Sequence, residues 1–242
     1  MKCPGQDTQY WKPGAIFEVK CPKCEKQVEF FKDDTARKCG HCGHRFVNPN
    51  MDFGCAAYCQ YAEQCLGTLP EELLAQKDDL LKDRVAIEMK RYFKSDFKRI
   101  SHAGRTARYA ERIAKKEEAM LPVVLCAAYL RDIGAVETER KYGEITAERL
   151  EQESPPVARS ILTFLKAKKD LIEAVCDIVG HHRRPEAGDD LNRKIVFEGT
   201  LIADLEERQK ENPLSAEQIE AVIADRFWTE SGKEEARNVL LE

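Results

Sequence analysis

The sequence predicts a mainly α protein: an all-helical domain over residues 68–242, preceded by a small cysteine-rich β-ribbon domain over residues 1–67. Three observations lead there. Eight of the ten cysteines, Cys3, Cys21, Cys24, Cys39, Cys42, Cys55, Cys59 and Cys65, lie in the first 67 residues. The other two, Cys126 and Cys176, sit inside apolar helical patterns. The composition changes at Leu66-Gly67-Thr68-Leu69-Pro70, from Cys, Gly, Pro, Lys and aromatic residues to apolar residues at helical spacing. At 242 residues the chain can bury one full core and carry a small appendage.

In chain order, Gln27-Val28-Glu29-Phe30-Phe31 reads as a short strand that runs into the turn residues Lys32-Asp33-Asp34. Tyr10, Trp11, Phe17, Phe30, Phe31, Phe46 and Phe53 supply aromatic surface for a miniature core. Thr68 suits an N-cap and Pro70 the first turn of a helix through Tyr92. Further helices are predicted over 96–117, 121–132, 135–151, 155–166, 170–181, 190–212 and 216–241. Ser154-Pro155-Pro156 and Asn212-Pro213 read as breaks, because proline suits a first helical turn and not an interior.

Composition removes several classes of function. A formal net charge of -4 gives no global attraction to nucleic acid. The aromatics interleaved with lysines in the ribbon would allow base stacking, but its nearly balanced charges argue against a nucleic-acid partner. No stretch reaches the roughly 18 apolar residues of a membrane span, and Met1-Lys2-Cys3-Pro4-Gly5 has no apolar run of a secretory signal. The expected location is therefore cytoplasmic, where paired cysteines are metal ligands more often than disulfides.

Cys21-Pro22-Lys23-Cys24 and Cys39-Gly40-His41-Cys42 are two C-x2-C turns separated by fourteen residues. That spacing lets two tight turns close four thiolates on one zinc ion, and the segment resembles a zinc ribbon. Gly43 follows the second pair, while Glu25 stands where such ribbons usually carry glycine. Cys55, Cys59 and Cys65, with Cys3 as a fourth sulfur, suit a second zinc or an iron-sulfur cluster. A module of this kind on a larger domain also suits contact with a protein partner.

In the helical part, His102 lies in Ile100-Ser101-His102-Ala103-Gly104-Arg105-Thr106-Ala107. Arg131-Asp132 ends Ala127-Ala128-Tyr129-Leu130 ahead of Ile133-Gly134, and His181-His182 leads into Arg183-Arg184-Pro185. This pattern resembles the HD superfamily of metal-dependent phosphohydrolases over roughly residues 90 to 215. The resemblance implies that His102 and Asp132 descend from metal ligands and that the His of the His-Asp pair is here Arg131. The best match of Val196 to Glu207 puts Thr200 at the last ligand position, with Asp204 one helical turn later on the same flank.

Arginine has no lone pair to give and stays charged, so it repels a dication. On that reading a divalent metal in the cleft is doubtful. Arg131, His181, His182, Arg183 and Arg184 would form a cationic mouth for a phosphorylated small molecule or nucleotide. The expectation is a degenerate HD domain with a regulatory or scaffold role. The alternative is an active phosphohydrolase whose rearranged site holds metal through His102, Asp132 and Asp204.

Overall fold

The computed structural model describes residues 16–31, 34, 36–50, 80–181 and 184–241. The chain falls into two units, residues 1–78 and 79–242. In the first, β1 (Ile16–Lys20) pairs antiparallel with β2 (Gln27–Phe31), Ile16 opposite Phe31 and Lys20 opposite Gln27. β3 (Ala36–Lys38) pairs antiparallel with β4 (Arg45–Val47). Alternation along β2 buries Val28 and Phe30, which pack with Cys21 and Cys39 and are flanked by Phe17, Val19 and Phe46. The rings of Phe30 and Phe46 meet edge to face with centroids 5.2 Å apart. Buried Asn48 joins the two hairpins, its amide donating to the carbonyls of Phe31 and Asp34.

The described part of the second unit is helical: α1 (Leu81–Phe93), α2 (Phe97–Ala114), α3 (Leu121–Leu130), α4 (Ala135–Tyr142), α5 (Ala147–Phe164), α6 (Lys169–Val179), α7 (Leu191–Glu211), α8 (Ala216–Arg226) and α9 (Glu230–Leu240). The mainly helical class with a small cysteine-bearing β region is as the sequence predicts. Residues 68–79, where the sequence starts the first helix, lie outside the described residues. α3 is apolar on every side, with seven of its ten residues buried, and it takes the centre against α1, α2, α6 and α7.

Three helix boundaries differ from the sequence reading, each for a local reason. The helix predicted over 135–151 ends at Tyr142, where Gly143 adopts a left-handed C-cap with φ of 71°. A new helix starts at Ala147, because the Thr146 side chain accepts from the Arg149 amide. α5 then continues through Pro155-Pro156, where the sequence predicts a break. Two interior prolines cost intrahelical hydrogen bonds, and tertiary packing offsets this: Ala158 and Leu162 of the same helix are fully buried. The helix predicted over 216–241 is divided at Phe227-Trp228-Thr229. Buried Glu198 of α7 holds this break, accepting from the amides of Trp228 and Thr229 and from the Thr229 hydroxyl at 2.5, 2.8 and 2.6 Å.

Candidate metal centre and candidate cleft

The two C-x2-C segments fold as near copies. The amide of Cys21 donates to the Lys26 carbonyl and that of Glu25 to the Cys21 carbonyl; Cys39 and Gly43 repeat the pattern with His44 and Cys39, all at 2.8–2.9 Å. The residue closing each turn needs positive φ, 58° at Glu25 and 74° at Gly43. The turns bring the sulfurs of Cys21, Cys24, Cys39 and Cys42 within 4.8 Å of one another, a group that can hold a metal ion. Cys21 lies 3.6 Å from Cys42, and Cys24 3.6 Å from Cys39.

Amides of Cys42 and His41 aimed at the Cys39 sulfur hold its pKa down at about 6. A backbone N–H at Lys26 favours the Cys24 thiolate, but burial and the three neighbouring sulfurs outweigh it and push that pKa up to about 12. Four sulfurs this close ionise together only with a cation among them. Cys3, Cys55, Cys59 and Cys65 lie outside the described residues.

The second site is a cavity of about 550 Å³ between α2, α7 and the turn after α3. α2 and α7 run antiparallel: the His102 Nε2 to Asp204 Oδ1 distance is 2.8 Å and the Lys98 Nζ to Glu207 Oε1 distance 3.3 Å. Arg105 reaches Glu207 at 2.9 Å, and the Tyr109 hydroxyl donates to Glu206. Close approach is possible because Gly199 has no side chain; a Cβ there would stand 2.9 Å from the Ala110 amide. The turn is held as tightly. A Cβ on Gly134 would meet the Ser154 amide nitrogen at 2.5 Å, and the Gly134 amide donates to the Ser154 hydroxyl. That contact fixes Arg131 and Asp132 on the cavity wall.

His102 therefore sits between two carboxylates. Its Nε2 takes Asp204, and its Nδ1 lies 3.8 Å from Asp132 Oδ2, beyond hydrogen-bond length. Arg131 Nη1 lies 3.1 Å from the other oxygen of Asp132. The Asp204 hydrogen bond raises the His102 pKa against a smaller opposing effect of burial, with the charges of Asp204 and Asp132 adding to it. Among the described residues, His102, Asp132 and Asp204 do not bring three ligand atoms within 4.8 Å of one another; only the cysteines do.

Of the two residues weighed for the last ligand position, Thr200 and Asp204, the structure brings Asp204 to the cavity. Thr200 is buried and spends its hydroxyl on the Val196 carbonyl, whereas Asp204 lines the cavity. The cationic mouth changes as well. His181 does not line the cavity; it follows α6, and its Nδ1 lies 2.6 Å from the Asp177 carbonyl oxygen of that helix. Arg184 donates to the Asp225 carbonyl and lies over the Trp228 ring, also away from the cavity. His182 and Arg183 lie outside the described residues. Lys98, Arg99, Glu207, Arg208 and Glu211 line the cavity and were not picked out from sequence. Steps of three and four residues from His102 and Asp204 along their helices lead to all five.

A family model, the HD domain, matches residues 99–229. No curated protein matches the sequence. Among solved structures, the chain is similar to the crystal structure of a predicted HD superfamily hydrolase from an uncultured Thermotogales bacterium. The match has 23% identity and a TM-score of 0.48, covering 65% of this chain and 83% of that one.

Proposed function

Because the chain belongs to the HD domain family, whose model spans more than half of its residues, we propose that its helical unit is a hydrolase-like domain turned to binding. It takes a phosphate- or nucleotide-type anion without efficient metal-dependent hydrolysis, in a regulatory or scaffold role. The observation that carries this reading is the Arg131 guanidinium, 3.1 Å from Asp132. A fixed cation so near the remaining carboxylate opposes a dication.

The residues present do not fit a catalytic divalent metal. The two nitrogens of His102 are turned toward different carboxylates, so no single point offers His102, Asp132 and Asp204 together. Losing one ligand and gaining a positive charge costs several kcal/mol, and about 1.4 kcal/mol is tenfold in affinity. The anion is received by Lys98, Arg99, Arg131 and Arg208, which line the cavity. One observation favours the alternative of an active phosphohydrolase, since Asp204 does meet His102 and can serve as a compensating ligand.

In the first unit the metal is zinc. A tetrahedron of Zn–S bonds near 2.3 Å has edges of about 3.8 Å, close to the 3.6 Å separations of both cysteine pairs. A ribbon on such a domain serves to hold a protein partner.

The test is metal content and ligand binding of the full chain, with Arg131→His beside it. The expected result is metal held by the cysteines alone, binding of phosphate esters without added divalent ion, and one further equivalent of metal only in Arg131→His. Stoichiometric metal in the parent that His102→Ala removes, with phosphoester turnover abolished by the same change, would overturn the binding reading in favour of the enzyme.

A further inference from the structure

The cavity is not a uniformly cationic pocket, and its two long walls differ in sign. α2 contributes Lys98 and Arg99 together with His102, while α7 contributes Asp204, Glu207 and Glu211 against the single cation Arg208. The turn after α3 adds Arg131 and Asp132, one charge of each sign. Helix direction reinforces the split. Lys98 and Arg99 stand in the first turn of an 18-residue helix, whose end carries partial positive charge. Arg208 and Glu211 stand in the last turn of the 21-residue α7, whose end carries partial negative charge. The antiparallel packing sets these two ends side by side at the cavity.

A polyphosphate fits this arrangement poorly. One phosphoryl group can lie against the α2 wall and Arg131, but a second or third meets the carboxylates of α7. Asp204 already meets His102, and Glu207 meets Lys98 and Arg105, so Glu211 is the α7 carboxylate placed to take the first contact with an ammonium or another donor group. A volume of about 550 Å³ lies within the range of small-molecule sites.

We propose that the cleft takes a small zwitterion: a molecule with one phosphoryl group, received by the α2 wall with Arg131, and a protonated amine, received by the carboxylates of α7. This rests on the anion-binding reading and narrows it to a class of ligand.

Calorimetric titration of the full chain with three probes tests it: O-phosphoethanolamine, ethyl phosphate, which lacks the amine, and tripolyphosphate. The amine is expected to improve affinity about tenfold over ethyl phosphate, the ratio one charge-assisted contact supplies, and tripolyphosphate to bind no tighter than ethyl phosphate. Glu211 lines the cavity on the α7 side, so Glu211→Gln is expected to narrow the preference for phosphoethanolamine over ethyl phosphate. Equal affinity for phosphoethanolamine and ethyl phosphate, or tenfold tighter tripolyphosphate, overturns the zwitterion and leaves the anion reading standing. No binding of any probe overturns both.

Discussion

The cysteine turns and the helical cleft hold metal-ligating side chains in opposite ways. In the first unit four sulfurs converge within 4.8 Å, and each is placed by a turn of a few residues whose backbone hydrogen bonds are local. In the second, His102, Asp132 and Asp204 come from three places in the chain. They meet as a row, with the imidazole between two acids and Arg131 beyond. Convergence calls for an added cation, whereas a row containing its own guanidinium and imidazole is closer to balance. On the proposed reading, the comparison teaches that donor types alone do not make a metal centre; their lone pairs must point at one place.

The largest expected effect breaks the first half of that comparison. A small core of Cys21, Val28, Phe30 and Cys39 cannot by itself hold residues 16–50 folded, and structural zinc supplies roughly 10–16 kcal/mol in small modules. Cys39→Ser, or a strong chelator on the parent chain, is expected to release one equivalent of metal and abolish the amide hydrogen-exchange protection of β1–β4. The helices keep theirs, because their core is apolar and contains no ligand. Simultaneous unfolding of the helices, or intact protection of the strands, would contradict the assignment.

A smaller effect sharpens the second half. If His102 and Asp204 form an ion pair, their contribution depends on the charge of the imidazole. The folded pKa is raised above the ordinary value near 6.5. The stabilisation is therefore fully present below that value and is lost as pH rises through the folded pKa. Asp204 is 60% exposed, so solvent screening limits the loss in Asp204→Asn to about 1 kcal/mol. Urea unfolding is expected to show that loss at pH 5.5 and little of it at pH 9, with the NMR-titrated pKa of His102 falling in the variant. An equal loss at both pH values would mean that the contact acts through neutral hydrogen bonding or packing.

The same contrast explains what was legible in the sequence. The cysteine site was readable because spacing in the chain is nearly spacing in space when turns are this short. Helix periodicity gave the helical class and the α2 and α7 faces, and Asp204 lay on the flank expected. Its contact with His102, however, depends on the relative slide of α2 and α7. Gly199 sets that approach against Ala110 and Thr106, and no window of sequence contains both helices. Of the expected cationic mouth, Arg131 lines the cavity, whereas His181 and Arg184, adjacent to a family pattern in sequence, find nearer partners in Asp177 and Asp225. Pro155-Pro156 misled because a proline's local penalty is visible in sequence, while the burial of Ala158 and Leu162 that outweighs it is not.

The smallest effect lies within the cysteine unit, where the two turns form an internal control. Glu25 and Gly43 perform the same backbone task at φ of 58° and 74°, but only glycine does so with no Cβ to strain. The left-handed conformation costs a residue with a side chain about 1–2 kcal/mol. Glycine returns roughly 0.5–1 kcal/mol of that through the greater freedom of the unfolded chain. Glu25→Gly is therefore expected to stabilise the folded, metal-bound turn by about 0.5 kcal/mol, read as a roughly twofold tighter hold on metal in chelator competition. Glu25→Ala separates backbone from charge, since it removes the carboxylate but keeps the Cβ, and no gain is expected from it. An equal gain in Glu25→Ala would assign the effect to the negative charge beside the thiolates and remove strain from the account.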